Sequence, residues 1–361
     1  MSYVTAALVD SPTVADPSAP PDPVSSPDPA APASAGNDAA AAAPAPEPAP
    51  ATRTPRYRVL ESTTLRPTPE AQRKVVVSRY AARGFSRVDP TDLQATSVTI
   101  ASFNVLGASH SASRGARSGV ARMASTVGLL RAHGVSVVGL QEFQEPQYRA
   151  FESMAGGEYD VWPGVLHGTH VDVQNSIAWR SADWSLVEAH TLSVPYFFGH
   201  RVPMPVILLE NRDSGRRVWF MNFHNPADAH GNAAGYRAAA RAIEAAEANR
   251  LKAEAPVVLT GDMNDRSEFA CPFAAATGMH SADGVTDNGH CTLPQHTNVD
   301  WIFGTPDIEF SSFVTDFSTK DRGVSDHPMV RATLTLPAVA DPAACEKEKA
   351  AGTTLWFCPR R

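Results

Sequence analysis

The chain has 361 residues, a formal net charge of −7, 43% hydrophobic residues, 30 prolines and 4 cysteines. That length allows about two domains, and the apolar content excludes a wholly disordered chain. No run of about 18 apolar residues occurs, so no transmembrane helix is visible, and the acidic balance argues against a protein that binds polyanions by bulk charge.

Residues 1–52 read as a disordered, acidic Pro/Ala tail. Twelve of the 30 prolines lie in positions 1–50, with six acids and no Lys or Arg. Such a segment cannot bury enough apolar surface to offset its ordering entropy. The short apolar run at 3–9 has no basic residue before it. It reads as part of a longer signal peptide, incomplete in this sequence, with Thr13-Val14-Ala15 near a cleavage site. Simple disorder in a cytoplasmic protein is the alternative. Residues 53–95 form a basic connecting segment, with nine bases against Glu61 and Glu70 between 53 and 87. Residues 73–83 are expected to form a basic helix packed on the domain edge, or else an anion-facing flap. The remainder, 89–361, carries 30 acids against 22 bases.

A folded domain is expected over 96–337. Residues 98–103 (VTIASF) read as a buried strand, 119–133 as a helix stopped by Gly134, and 135–140 as a β-branched strand. Further strands are expected at 176–180, 206–210, 218–223, 257–260, 299–303 and 330–336. A hairpin at Asp213-Ser214-Gly215 should join two of them. Residues 233–253, rich in Ala, Glu and Arg, read as one long helix ended by Pro256. Many strands with few helices suggest two packed sheets with helices outside. The aromatic run Pro195-Tyr196-Phe197-Phe198-Gly199 reads as a buried strand edge, with peripheral contact with a membrane surface as the alternative.

Residues 338–361 form a C-terminal extension. The four cysteines contain no C-x-x-C and fall in two near-neighbour pairs, which favours Cys271–Cys291 and Cys345–Cys358 among three possible pairings. Buried free thiols, or a zinc site using Cys271, His290, Cys291 and His296, are the alternatives. Disulfides would imply an oxidising compartment, hence a secreted or cell-surface protein.

Polar residues cluster where the apolar strands end. Asn104 follows the first strand and Gln141-Glu142 the second. His224 ends 218–223, Gly261-Asp262-Met263-Asn264 ends 257–260, Asp300 lies in 299–303, and Asp326-His327-Pro328 precedes the last strand. Strand ends are rigid platforms from which side chains can converge on one cleft. Carboxylates, amides and two imidazoles, with no Ser or Cys nucleophile, suit an oxygen-ligated metal and activation of water rather than acyl-enzyme chemistry.

The ordered set Ser102-Phe103-Asn104-Val105, Gln141-Glu142, Asn222-Phe223-His224-Asn225-Pro226, Gly261-Asp262-Met263-Asn264, Asp300-Trp301-Ile302-Phe303 and Ser325-Asp326-His327-Pro328 resembles the endonuclease/exonuclease/phosphatase (DNase I-like) superfamily. The resemblance implies a four-layered α/β sandwich, two packed mixed β-sheets flanked by helices. It also implies a divalent metal, Mg²⁺ or else Mn²⁺ or Ca²⁺. By the same resemblance Asn104 and Glu142 would hold the metal, helped by Asp326. Asp262 and Asn264 would position and activate the attacking water. His327, oriented by Asp300, and His224 would act on the phosphate. Asn175, Arg201 and its neighbour His200 stand where relatives place substrate contacts.

The implied activity is metal-dependent hydrolysis of phosphate esters by in-line attack of water, first as a secreted nuclease or phosphodiesterase acting on DNA or RNA. A sphingomyelinase-like enzyme or another phosphatase is the second reading. A non-catalytic surface-binding module on the same fold is the third. Gly261-Asp262-Met263-Asn264-Asp265-Arg266 also resembles part of the inositol polyphosphate 5-phosphatase signature, but Asn298-Val299-Asp300-Trp301-Ile302 departs from its Cys-Asp-Arg element.

Overall fold

Apolar strands interrupted by single helices set the architecture of the computed structural model, which describes residues 66–165, 174–287, 290–294 and 298–360. The acidic tail and the signal-peptide reading lie outside the described residues. In chain order α1 (Pro69–Ala82) and β1 (Phe85–Val88) precede β2 (Thr96–Asn104), α2 (Gly119–Ala132), β3 (Val135–Gln141), α3 (Glu145–Ala155), β4 (Tyr159–Trp162) and β5 (Ser176–Arg180). The hairpin of β6 (Trp184–Pro195) and β7 (Arg201–Asn211) leads to β8 (Arg217–His224), α4 (Ala234–Leu251), β9 (Val257–Asp262) and α5 (Ser267–Thr277). Short strands β10 (His280–Ser281), β11 (Thr286–Asp287) and β12 (Cys291–Thr292) precede β13 (Asp300–Gly304), β14 (Glu309–Asp316), α6 (Ser318–Asp321) and β15 (Met329–Leu336). The chain closes with β16 (Glu346–Ala350) and β17 (Thr353–Pro359).

Two six-stranded mixed sheets result, ordered β14-β15-β2-β3-β5-β4 and β10-β13-β9-β8-β7-β6. Each has one parallel pair at its centre, β2 with β3 and β8 with β9. A parallel pair needs a crossover, which α2 and α4 supply. Ser118 caps α2 by accepting the Ala121 N–H, and Gly134, at φ +60°, turns the chain into β3.

The strands read as unbroken apolar runs because both faces are covered. Along β8, Val218 and Phe220 face the other sheet, with Ile100, Val137 and Val258 in the same cluster. Trp219, Met221 and Phe223 alternate onto the face covered by α4 and α5. On the first sheet Ala101, Phe103, Val138 and Leu140 pack under α2 and α3. The order helix, sheet, sheet, helix is the four-layered sandwich expected from the sequence.

Near the site the sheets are joined by polar contacts. Asn222 Nδ2 donates to the Leu140 and Ser176 carbonyls, while its Oδ1 accepts from Gln141 Nε2 at 2.6 Å and Thr260 Oγ1 at 3.2 Å. Gly139 permits this approach: a Cβ there would lie 2.1 Å from Thr260 Oγ1.

Several elements differ from expectation. α4 stops at Leu251, before Pro256, because the chain turns there and Lys252 donates to the Thr277 carbonyl. β6 escapes sequence reading because much of it is exposed and its pattern shifts at a bulge between Leu186 and Glu188. β14 has a similar break between Ser311 and Val314, and α5 contains Pro272. The aromatic run 195–199 is a hairpin turn rather than a buried strand edge: Tyr196 is buried, but Phe198 is 70% exposed.

Residues from the two ends of the described chain form one small unit. β1 pairs with β17 and β17 with β16, and Tyr80 of α1 stacks on Phe357 with ring centroids 3.8 Å apart. Arg83 and Arg79 of the basic helix pair with Glu346 and Glu348. Disulfides join Cys271 to Cys291 and Cys345 to Cys358, which removes the free-thiol and zinc alternatives. Among the described residues no helix is long and apolar enough to cross a membrane.

Candidate active site

Register brings the strand-end residues together. The carboxyl ends of the central parallel strands carry Asn104 opposite Gln141 in one sheet and His224 opposite Asp262 in the other. Asp300, at the start of antiparallel β13, pairs with Asp262. Such ends are where open α/β sheets place ligands.

Asp262 is the centre of the cluster. Its Oδ2 accepts from Asn104 Nδ2 at 3.0 Å and lies 3.6 Å from His224 Nε2 and 3.5 Å from His327 Nε2. Its Oδ1 accepts the Asn264 backbone N–H at 3.0 Å. Asn264 Nδ2 donates to the Asn225 carbonyl at 2.8 Å. Asn104 Nδ2 also donates to Glu142 Oε1 at 2.9 Å, and its Oδ1 accepts the Leu106 N–H, so one amide ties two carboxylates. Leu106, Glu142 and Asn264 have φ of +56°, +55° and +50°. Left-handed backbone at non-glycine residues is a cost that surrounding structure must hold in place, and it concentrates at functional sites.

His327 Nδ1 lies 3.0 Å and 3.1 Å from the two oxygens of buried Asp300, which also accepts from Asn298 Nδ2. Burial would lower the His327 pKa, but the charges of Asp300 and Asp262, with the hydrogen bond to Asp300, push it up to about 10. The two carboxylates thus favour the charged form of the ring. For Glu142, burial works to raise the pKa. It is outweighed by the hydrogen bond from His110, the charge of His224, the Gly107 N–H and Asn104, which together hold the carboxyl well below the usual range. Asp262, Asp300 and His327 offer three ligand atoms within 4.8 Å of one another, a grouping able to hold a metal ion.

Of the other expected residues, Asp326 lies 3.3 Å from Arg114, and its Oδ1 is buried without a hydrogen-bond partner. Asn175 is buried, its amide against Met204 Sδ at 3.1 Å. Arg201 is exposed, and its guanidinium donates to Ser193 Oγ. Among the described residues, neither Asn175 nor Arg201 hydrogen-bonds directly to Asp262. His200 lines the adjoining cavity.

Three residues that had been given no role shape the site. His110 places Nδ1 2.9 Å from Glu142 Oε2. Ser325 donates to the Asn104 carbonyl at 2.6 Å and accepts the His327 N–H, joining the last loop to the first. Arg122 of α2 is wholly buried and donates to the Val105, Leu106 and Val324 carbonyls. A charged residue on the apolar face of helix 119–133 was the available signal for Arg122. His110 had none beyond its closeness in sequence to Asn104.

A cavity of about 350 Å³ opens beside Glu142 and His224. Tyr196, Phe197, Phe198, His200 and His230 line it, with His110 and Arg114 at its polar side.

The Endonuclease/Exonuclease/phosphatase family matches residues 101–327, a span that runs from β2 through His327. No curated protein matches the chain. Among solved structures, a family protein of Bacteroides thetaiotaomicron is 18% identical, covering 67% of this chain and 99% of its own, with a TM-score of 0.54. The human Nocturnin catalytic domain with bound sulfate is 17% identical over 68% and 99%, with a TM-score of 0.53. D. rerio TDP2 complexed with single strand DNA product is 19% identical over 66% and 99%, with a TM-score of 0.50. At these identities the likeness is one of fold. The family match, which holds both the central strands and the polar residues at their ends, carries the assignment: the chain belongs to the endonuclease/exonuclease/phosphatase family.

Proposed function

We propose that this protein is a divalent-metal-dependent phosphodiesterase, a secreted nuclease in which water attacks phosphorus in line. The observation that carries the reading is the convergence on Asp262 of two imidazoles and of the amide that also holds Glu142.

The donor set fits a hard cation. Glu142 is kept ionised, three hydrogen bonds leave part of its acceptor capacity open, and Asp326 Oδ1 is buried and unpartnered. Glu142, with Asn104 beside it and Asp326 from the loop before β15, would hold the ion. The oxygen ligands suit Mg²⁺ or Mn²⁺. Once bound, such an ion acidifies water and neutralises phosphate oxygens. The grouping of Asp262, Asp300 and His327 suits proton handling instead, because the charges of Asp300 and Asp262 favour the protonated form of His327, which does not ligate.

The remaining chemistry belongs to the chain. Asp262, fixed by the Asn264 N–H, accepts a proton from the attacking water, and Asn264 orients that water. His327, charged and steered by Asp300, donates to a non-bridging oxygen that gains charge in the transition state. His224, whose Nε2 lies 3.6 Å from Asp262 Oδ2, protonates the leaving oxygen. The two disulfides support an oxidising compartment. N-terminal sequencing of protein from culture medium tests secretion, and retention in the cytosol would remove that part of the reading.

Hydrolysis of bis-p-nitrophenyl phosphate is expected with Mg²⁺ or Mn²⁺, to stop with EDTA, and to fall about 10²–10⁴-fold in His327→Ala. Glu142→Ala should lose metal-dependent turnover. A panel of DNA, RNA, sphingomyelin, inositol phosphates and monoesters ranks substrates. Absence of metal-dependent cleavage of every ester would favour a binding module.

A further inference from the structure

We propose that the cavity beside Glu142 and His224 is a nucleobase subsite, so that the protein takes substrates presenting an unstacked base: single-stranded nucleic acid and nucleotide-sized ends. The inference rests on the phosphate-ester hydrolase reading above and names its substrate class.

The cavity's size is that of a small-molecule site, and it has one aromatic and one polar side. Phe197 and His230 meet edge to face at 4.8 Å, and Phe198 lies 5.3 Å from His230. Tyr196 continues the aromatic surface to His224, at 6.3 Å. Phe198 is 70% exposed at the tip of the β6–β7 hairpin, where an apolar ring gains nothing from water. Its backbone is left-handed, φ +57°, followed by Gly199 at +77°. A bulky residue in that region is strained. The turn therefore presents a ring at the mouth of the cavity at a conformational cost.

A nucleobase matches both sides of this cavity. Its face stacks on aromatic rings, and its edge carries donors and acceptors for imidazoles, while Arg114, paired with Asp326, adds positive charge near an adjacent phosphate. A sugar phosphate offers only the C–H face of a saturated ring and lacks the flat π-face of a base, and an acyl chain has no use for the His and Arg side. A duplex keeps its bases stacked inside. The acidic balance of residues 89–361, 30 acids to 22 bases, offers little bulk attraction to its backbone. Binding energy for a nucleic acid must then come from the base and the reacting phosphate.

The test compares thymidine 5′-(p-nitrophenyl phosphate) with the same ester lacking the base, and adds binding of adenosine 5′-monophosphate in EDTA, followed by titration calorimetry. The full chain should favour the base-bearing ester in kcat/KM by about tenfold, the effect of one stacked base. Phe198→Ala should remove most of that preference and weaken nucleotide binding about tenfold, while Phe198→Tyr keeps both. Equal turnover of the two esters overturns the subsite and leaves the hydrolase reading standing. If neither ester, nor any other ester of the panel above, is cleaved with Mg²⁺ or Mn²⁺, the hydrolase reading falls, and Phe198-dependent nucleotide binding alone decides the subsite, its absence overturning it. Phe198-dependent capture by sphingomyelin vesicles with no base preference would overturn it in favour of a membrane contact.

Discussion

Asp262 uses one oxygen for Asn104 and for two imidazoles at 3.5–3.6 Å, and the other for a backbone N–H. Small displacements of so many partners would be felt together, so the titratable groups around the cluster matter beyond their own contacts. Glu244 of α4 is such a group. It is fully buried, and burial pushes its carboxyl up to about 8 from 4.5, against the smaller opposing effects of Asn225 and Arg241. The folded state thus keeps a proton that the unfolded chain releases near 4.5. The stability this gives is complete below 4.5 and declines, by about 1.4 kcal/mol per pH unit, until pH passes the folded value. Glu244→Gln should match the natural protein near pH 4.5 and exceed it in stability at pH 8. Denaturant unfolding at the two pH values measures this, and parallel curves would refute it.

At the scale of elements, α2 does more than cover a sheet. Its Arg122 reaches under the site and bonds the loop after β2, which carries Asn104, to Val324 of the loop that carries Asp326 and His327. Arg122→Met keeps approximate volume but leaves buried carbonyls unpaired, at about 1–3 kcal/mol each. The variant should unfold at markedly lower denaturant and need more Mg²⁺ for half-maximal activity, both partly restored in Arg122→Lys. An unchanged Mg²⁺ requirement would confine Arg122 to stability.

At the scale of the molecule, the site depends on how closely two sheets approach. Gly139 faces Thr260 and Asn222 across the interface, and a Cβ there would lie 2.1 Å and 2.5 Å from their side-chain oxygens. Overpacking of this kind typically costs about 1–3 kcal/mol. Gly139→Ala should therefore lower the unfolding midpoint and also kcat, because Asn104 and Glu142 stand on one sheet and Asp262 and His224 on the other. A loss of stability with unchanged kcat would mean that the sheets shift as a unit.

The strand cores and the polar residues at their ends were legible because both faces of each central strand are buried, which makes an apolar run end abruptly where the cleft begins. The same rule explains what was not legible. β6 and β14 lie at sheet edges, half exposed and bulged, so their patterns carry little signal. The near-neighbour cysteine pairs could be favoured from spacing, but only their coordinates chose among three pairings. The sequence alone determined that carboxylates, amides and two histidines sit at strand ends. Tertiary structure decided that Asp262 gathers Asn104 and both imidazoles, that His110 holds Glu142, and that an aromatic hairpin lines the adjoining cavity. Those pairings depend on register between strands far apart in the chain, and no local pattern encodes which side chains a folded sheet will bring to face each other.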